Sequence, residues 1–233
     1  NILMFNVESP QELEAINDAA GRLSCRARIA IRINPDVDPK THPHISTGLK
    51  KNKFGIDIRK SLEEYRRAGT LKNIEIVGLD CHIGSQITQI SPFTDALERL
   101  KKLITLLKDE GIHIKYLDLG GGLGITYNEE TPPHPQDYAR AIKEAAGELD
   151  CTFILEPGRV IVGNAGALVS KVLFTKVNGE KNFVIVDAGM NDHPAKPVRL
   201  LPPDHLGCAG KGRGDIQGRR RWADMRVRGF PRE

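Results

Sequence analysis

The 233 residues suffice for one large domain or two small ones, and 39% hydrophobic with 27% charged residues is the balance of a globular rather than a disordered chain. No run of about 18 apolar residues occurs, which excludes a transmembrane helix, and no charged-then-apolar leader opens the sequence. The formal net charge of +4 is unevenly placed: residues 193–233 hold ten Lys/Arg against four Asp/Glu, leaving residues 1–192 with 24 basic and 26 acidic side chains.

In chain order, residues 2–7 open as a candidate strand, and residues 9–20 follow with Leu13, Ile16 and Ala20 on one helical stripe, begun by Ser9-Pro10 as cap and first turn. The run ARIAIRI (27–33) reads as a strand buried on both faces, and 61–68 as a short helix. IEIVGL (74–79) is a further strand. Residues 91–110 carry Phe93, Leu97, Leu100, Ile104 and Leu107 at helical spacing, opened by Ser-Pro and closed by Gly111. IKYLDL (114–119), a helix over 136–149 and TFIL (152–155) complete the alternation. Strand and helix alternating at this period predict about five βα units on a parallel sheet over residues 1–165. From 166 to 192 two strands follow one another, over 167–177 and 182–186, and Asn178-Gly179 between them is a strong hairpin signal. Residues 193–233 form a third region, a basic tail.

Polar residues gather where the strands end: Asn34-Pro35-Asp36, HIGSQ (82–86), GGG (120–122) and EPGR (156–159). In βα barrels and doubly wound sheets this edge holds the ligand. Each cluster also has a plain reading. The glycine triplet can be a tight turn, or it can turn successive backbone N–H groups toward a phosphate. It is neither a Walker loop nor a good dinucleotide fingerprint, since Pro132 and Pro133 interrupt the helix that should follow. His82 can be structural, stack on a flat ring or exchange a proton, while Ser85 can donate to a phosphate. Glu156 and Arg159 can be a surface pair, or a partner for a protonated ring nitrogen and a clamp for a carboxylate. Residues 46–56, with three lysines, read as a solvated loop before a short helix. Four widely spaced cysteines (Cys25, Cys81, Cys151, Cys208) form no metal-ligand pair, so no metal is expected; free thiols suit a reducing, cytoplasmic compartment, and the first three read as buried small hydrophobes.

The ordered set NVES (6–9), RINPD (32–36), KFGID (53–57), GLDCHIGSQ (78–86), DLGGGLGI (118–125), EPGRVIVGNAG (156–166) and VDAGMND (186–192) resembles the diaminopimelate decarboxylases, a branch of the alanine-racemase-like (fold type III) pyridoxal-phosphate enzymes. The resemblance covers roughly residues 1–192. It implies a partial TIM (β/α)8-type barrel followed by the start of a β-rich domain, with pyridoxal 5′-phosphate as cofactor. Implied roles fall on matched positions. His82 would stack on the cofactor ring, and Ser85, Gly120, Gly121, Gly122 and the backbone of Gly158 and Arg159 would hold its phosphate. Glu156 would pair with the pyridine nitrogen and Arg159 would bind a substrate carboxylate; His82 and Glu156 are thus the implied catalytic residues. The implied reaction is decarboxylation of meso-diaminopimelate to lysine, the protein supplying orientation and electrostatics. The implied partner is a small amino-acid substrate, with a homodimer in the family. Ornithine- or arginine-type decarboxylation, or a non-catalytic binding protein on the same fold, are the alternatives.

Two departures stand out. The family's Schiff-base lysine lies in a motif like YAxKAN on the first barrel strand, which is not found here; NVES resembles the fourth strand region, so the sequence reads as a fragment that starts about three βα units late and is expected to be inactive by itself. After Asp192 the family's LIRPALY-like and CES-like motifs do not follow, so no catalytic cysteine is assigned. Residues 193–233 hold eleven Pro/Gly and eight Arg in 41 positions and are expected to be disordered. The slightly acidic body and the lack of interleaved aromatics argue against nucleic acid as the partner of that tail. A reading-frame shift near residue 193 accounts for both the abrupt switch and the bias. Translating the coding DNA in the other two frames beyond Asp192 should then yield an IRPxLY-like and a CES-like continuation; finding neither refutes the shift.

Overall fold

The protein is described here by a computed structural model, which places residues 2–38, 54–127, 130–163, 165, 169–179, 181–188 and 226–228. Two units divide the chain, Asn1–Ala165 and Gly166–Glu233.

In the first unit, strands β1 (Phe5–Val7), β2 (Ala27–Asn34), β4 (Ile74–Asp80), β5 (Tyr116–Asp118) and β6 (Thr152–Ile154) lie side by side in that order, every pairing parallel. The helices α1 (Pro10–Arg22), α2 (Ile58–Thr70), α3 (Ser91–Asp109) and α4 (Pro135–Ala146) form the crossovers. This is the α/β architecture of a partial βα barrel. A two-residue strand, β3 (Ile56–Asp57), pairs with the end of β2 (Ile33 beside Ile56), and a one-turn helix, α5 (Arg159–Val162), follows β6. Neither is expected from periodicity, because elements this short hold barely one period and so show no repeat.

Local chemistry sets the helix ends. Ser9 Oγ accepts from the Glu12 N–H at 3.2 Å while Glu12 reaches back to the Glu8 N–H at 2.7 Å, a reciprocal cap ahead of Pro10. Helix α2 begins three residues before the expected Ser61, because Asp57 accepts from the Arg59 N–H and takes over as cap; Ser61 is buried inside the first turn, donating to the Ile58 carbonyl at 2.6 Å. Likewise Ser91 lies within α3 rather than capping it. Gly111, at φ +76°, ends α3, where a left-handed residue is needed and glycine adopts it without strain.

The core lies between sheet and helices: Ile29, Ile31, Ile33, Leu79 and Leu117 from the strands meet Leu13, Leu97, Leu100 and Leu107 from the helices. Phe93 and Tyr138 lock α3 to α4 edge-to-face at 4.9 Å. Of the cysteines, Cys81 is buried, Cys151 half-buried, and Cys25 exposed on the loop after α1, against the expectation of burial. No helix among the described residues is long and apolar enough to cross a membrane.

The second unit is a sheet of β7 (Val172–Asn178), β8 (Lys181–Val186) and β9 (Arg226–Arg228). β7 and β8 form the antiparallel hairpin, with Asn178 opposite Lys181 and Gly179 at φ +60°. β9 comes from the tail expected to be disordered: it pairs parallel with β8, whose free edge offers the backbone groups a strand can satisfy. The rest of residues 193–233, including Cys208, and residues 39–53, including Lys53, lie outside the described residues.

Tyr65 shows what holds sheet to helix. It is fully buried on α2, and its hydroxyl donates to the Gly78 carbonyl of β4 at 2.9 Å. Tyr65→Phe keeps the ring and loses the bond, so thermal unfolding should show a loss of about 1–1.5 kcal/mol. An unchanged melting temperature would mean that this bond contributes nothing net.

Candidate functional site

Each strand of the first unit hands its last residues to one edge of the sheet. Arg32 on β2 stands opposite Asp80 on β4, and Asp80 opposite Asp118 on β5. Glu8 follows β1 and joins the row, accepting from Arg32 at 2.7 Å. Arg32 also lies 3.7 Å from Asp80 and over the Phe54 ring at 5.2 Å. Asp118 is buried; it accepts from the Gly120 N–H at 2.9 Å, and from Asn6 at 3.5 Å. Asp80 is only 3% exposed, and its Oδ1 has no hydrogen-bond partner among the described residues. Burial first, then the adjacent Asp118, pushes its carboxyl up to about 8, Arg32 pulling the other way.

Above this row three loops interlock. HIGSQ and the glycine loop are bonded by Ile87 N–H to the Gly122 carbonyl (2.9 Å) and Gly124 N–H to the Ile87 carbonyl (3.0 Å). The Gly121 N–H donates to His82 Nδ1 at 3.2 Å. EPGR joins the glycine loop through the Glu156 N–H, which donates to the Gly120 carbonyl at 2.8 Å. It joins HIGSQ through Arg159, whose two terminal nitrogens donate to Gln86 Oε1 and Ser85 Oγ, each at 3.2 Å. The glycines are required by closeness. A Cβ on Gly121 would be driven into the Glu156 carbonyl oxygen, and one on Gly122, already at φ +105°, into the Gly84 carbonyl oxygen.

His82, Ser85, Gly120, Gly121, Gly122, Glu156 and Arg159 therefore stand on three bonded loops. Gly158 precedes α5 at φ −117°, exposed, with open space where a side chain would be. The triplet differs from a simple phosphate cradle: the N–H groups of Gly120 and Gly121 are spent on Asp118 and His82. Among the described residues no acceptor takes the N–H of Gly122, Arg159 or Val160, and with the Ser85 hydroxyl and the guanidinium these make a donor set suited to an oxyanion. His82 is held below its ordinary value by burial and then by Arg32; accepting at Nδ1, its neutral ring carries its proton on Nε2. Glu156 is exposed as a residue, but its carboxyl is partly shielded from water and is raised first by that burial and then by Asp118, so a cation placed against it would be welcome. The donors, the neutral ring and the cation-seeking carboxyl fit a phosphorylated pyridinium. The lysines described in this unit lie on α2, α3 and α4 or in the loops entering β4 and β5, not at these strand ends. No group of three or more His, Cys, Asp or Glu suited to a metal occurs among the described residues.

Sequence reasoning missed Glu8, Arg32, Asp80, Asp118, Gln86 and Tyr127 as members of the site. A signal was present for three of them: Arg32, Asp80 and Asp118 are charges inside otherwise apolar strands, where burial demands a partner.

The description "pyridoxal-dependent decarboxylase, pyridoxal binding domain" matches residues 1–163. The chain is 57% identical to a diaminopimelate decarboxylase from Aquifex aeolicus over 192 residues, which are 82% of this chain and 46% of that one. Among solved structures it resembles diaminopimelate decarboxylase from Helicobacter pylori complexed with L-lysine, at 46% identity and a TM-score of 0.77, covering 82% of this chain and 48% of that one. A lysine decarboxylase from Selenomonas ruminantium is similar at 25% identity and a TM-score of 0.68, over 80% of this chain and 47% of that one. The chain thus spans about half the length of the relatives it matches.

The raised Asp80 carboxyl fixes a pH dependence. Folded, it keeps its proton up to about pH 8; unfolded, it releases it near its ordinary 3.8. Between those values the unfolded chain binds fewer protons, so this group lowers stability as pH rises, fully above about pH 8 and not at all below about pH 4. Asp80→Asn should therefore melt several degrees above the parent at pH 9 and close to it at pH 4.5. An equal difference at both pH values would contradict a proton on Asp80.

Proposed function

Because the chain belongs to the pyridoxal-dependent decarboxylases, through the pyridoxal binding domain that its residues 1–163 match, we propose that its interlocked strand ends hold pyridoxal 5′-phosphate and serve decarboxylation of meso-diaminopimelate to lysine by the whole protein. The observation that carries the reading is the convergence of HIGSQ, GGG and EPGR on one bonded loop cluster, which joins an oxyanion donor set, a neutral imidazole and a cation-seeking carboxyl. The choice of substrate rests on identity: 57% to a diaminopimelate decarboxylase against 25% to a lysine decarboxylase. When bound, the cofactor withdraws electrons from the carbon that loses CO₂.

The chain's own residues would act as follows. Ser85, the Gly122 N–H and the backbone of Gly158 and Arg159 would hold the phosphate, with Gly120 and Gly121 giving the loop its shape. His82, its Nδ1 fixed by Gly121, presents a neutral ring face for stacking. Glu156 would hold the ring nitrogen protonated, and Arg159 would receive a substrate carboxylate. Beneath them Arg32, braced by Glu8, keeps positive charge beside His82 and discourages its protonation. The free thiols of Cys25, Cys81 and Cys151 accord with a cytoplasmic setting.

The test titrates pyridoxal 5′-phosphate into the 233-residue chain, following absorbance and His82→Ala and Glu156→Gln variants. Saturable, dialysable binding is expected, weakened at least severalfold in both variants and sensitive to meso-diaminopimelate more than to L-ornithine. With no lysine described at the strand ends, borohydride should fix no cofactor there, and CO₂ release from meso-diaminopimelate by this chain alone should be absent. Binding indifferent to both variants would overturn the site; borohydride-stable attachment with CO₂ release would overturn the expectation that these 233 residues are inactive by themselves.

A further inference from the structure

Gln86 is where the three loops meet. Its backbone is left-handed, φ +57°, a conformation a glutamine keeps only where its surroundings hold it. Its amide brackets one residue: Nε2 donates to the Ile125 carbonyl, and Oε1 accepts from the Ile125 N–H at 3.2 Å. Two bonds of opposite polarity to the same residue decide which end is oxygen and which nitrogen. The oxygen so fixed is the one that accepts from Arg159 at 3.2 Å. The rest of the guanidinium is held by the Ser85 hydroxyl at 3.2 Å and by the Tyr127 ring, 5.6 Å away at its centroid.

All of these partners are neutral. The ion pairs among the described residues engage Arg28, Arg32, Arg59, Arg66, Arg67, Lys101 and Arg140, but not Arg159. A guanidinium oriented by neutral acceptors is fixed in direction while its full charge, and the N–H groups not engaged by Gln86 and Ser85, stay available.

We infer that Gln86 is a positioning residue that aims the Arg159 guanidinium while leaving its charge uncompensated, so that an incoming oxyanion, carboxylate or phosphate, becomes its ion-pair partner. The inference rests on the anion-binding role of Arg159 proposed above and adds why the adjoining residue is an amide. A glutamate would reach equally far, but it would neutralise the arginine and set two acceptors against each other at the Ile125 carbonyl. A leucine would fill the space and aim nothing.

The experiment follows phenylglyoxal modification of Arg159 by peptide mass spectrometry in the full chain, for the parent, Gln86→Leu and Gln86→Glu, each alone, with inorganic phosphate and with L-lysine. In the parent, the anion that slows modification severalfold identifies the source, phosphate or carboxylate. Without added anion, Gln86→Leu should speed modification about threefold or more, while Gln86→Glu should slow it, because its carboxylate occupies the guanidinium; both should lose anion protection. A purely structural role for Gln86 would loosen the loop and speed modification in both variants, and that result overturns the inference, as does a parent-like rate with parent-like protection in Gln86→Leu. If Gln86→Leu does not fold, the direction of the Gln86→Glu rate decides alone. If neither anion protects the parent, the anion role of Arg159 falls, and opposite rate changes in the two variants would still uphold the positioning by Gln86.

Discussion

Backbone meets backbone at Gly121 and Gly122 with no room for a side chain on either. Gly121 lies against the Glu156 carbonyl and Gly122 against the Gly84 carbonyl. That closeness lets the Glu156 N–H reach the Gly120 carbonyl and the Ile87 N–H reach the Gly122 carbonyl. Once the three loops are laced, the side chains they carry have little freedom: His82 is pinned by an N–H, and Arg159 is drawn onto Ser85 and Gln86. Glycine here serves approach more than donation, since two of the three N–H groups in the triplet are consumed within the protein.

Beneath the loops the sheet carries an ionic row that packing alone would not favour. Glu8, Arg32, Asp80 and Asp118 place three carboxylates against one guanidinium at the ends of apolar strands. Burying like charges side by side is costly, and the structure answers by keeping a proton on Asp80 and spending the Asp118 carboxylate on the Gly120 N–H. The same row acts upward, second to burial in each case: Arg32 adds to the lowering of His82, and Asp118 adds to the raising of Glu156. A neutral ring and a carboxyl in want of a cation are the properties a protonated pyridine site needs, and here they arise from burial reinforced by neighbours one layer down. Charge misfit in the sheet and chemistry at its edge are one arrangement.

Much of the fold was legible because the helices α1 to α4 and the strands β2 and β4 each span several periods, and the apolar runs around the shorter strands continue the alternation. The alternation over residues 1–165 announces parallel βα units, and the strand ends collect the motifs. Elements of barely one period, β3 and α5, were not legible, nor were caps such as Asp57, where a competing side chain won the helix start. Cys25 reads as a strand-flanking hydrophobe yet is exposed, because the loop after α1 carries it outward.

The sequence by itself determined which residue types stand at the strand ends, since motif spacing and strand phase are properties of the chain. It also carried the family resemblance and the confinement of basic charge to residues 193–233. Tertiary structure alone decided who touches whom across those ends. Arg32, Asp80 and Asp118 are 48 and 38 residues apart in succession and become neighbours only through strand register. The glycine triplet's spent N–H groups, the proton on Asp80 and the hold of Gln86 on Arg159 all follow from that register, because hydrogen bonding and burial depend on distances that no local pattern records.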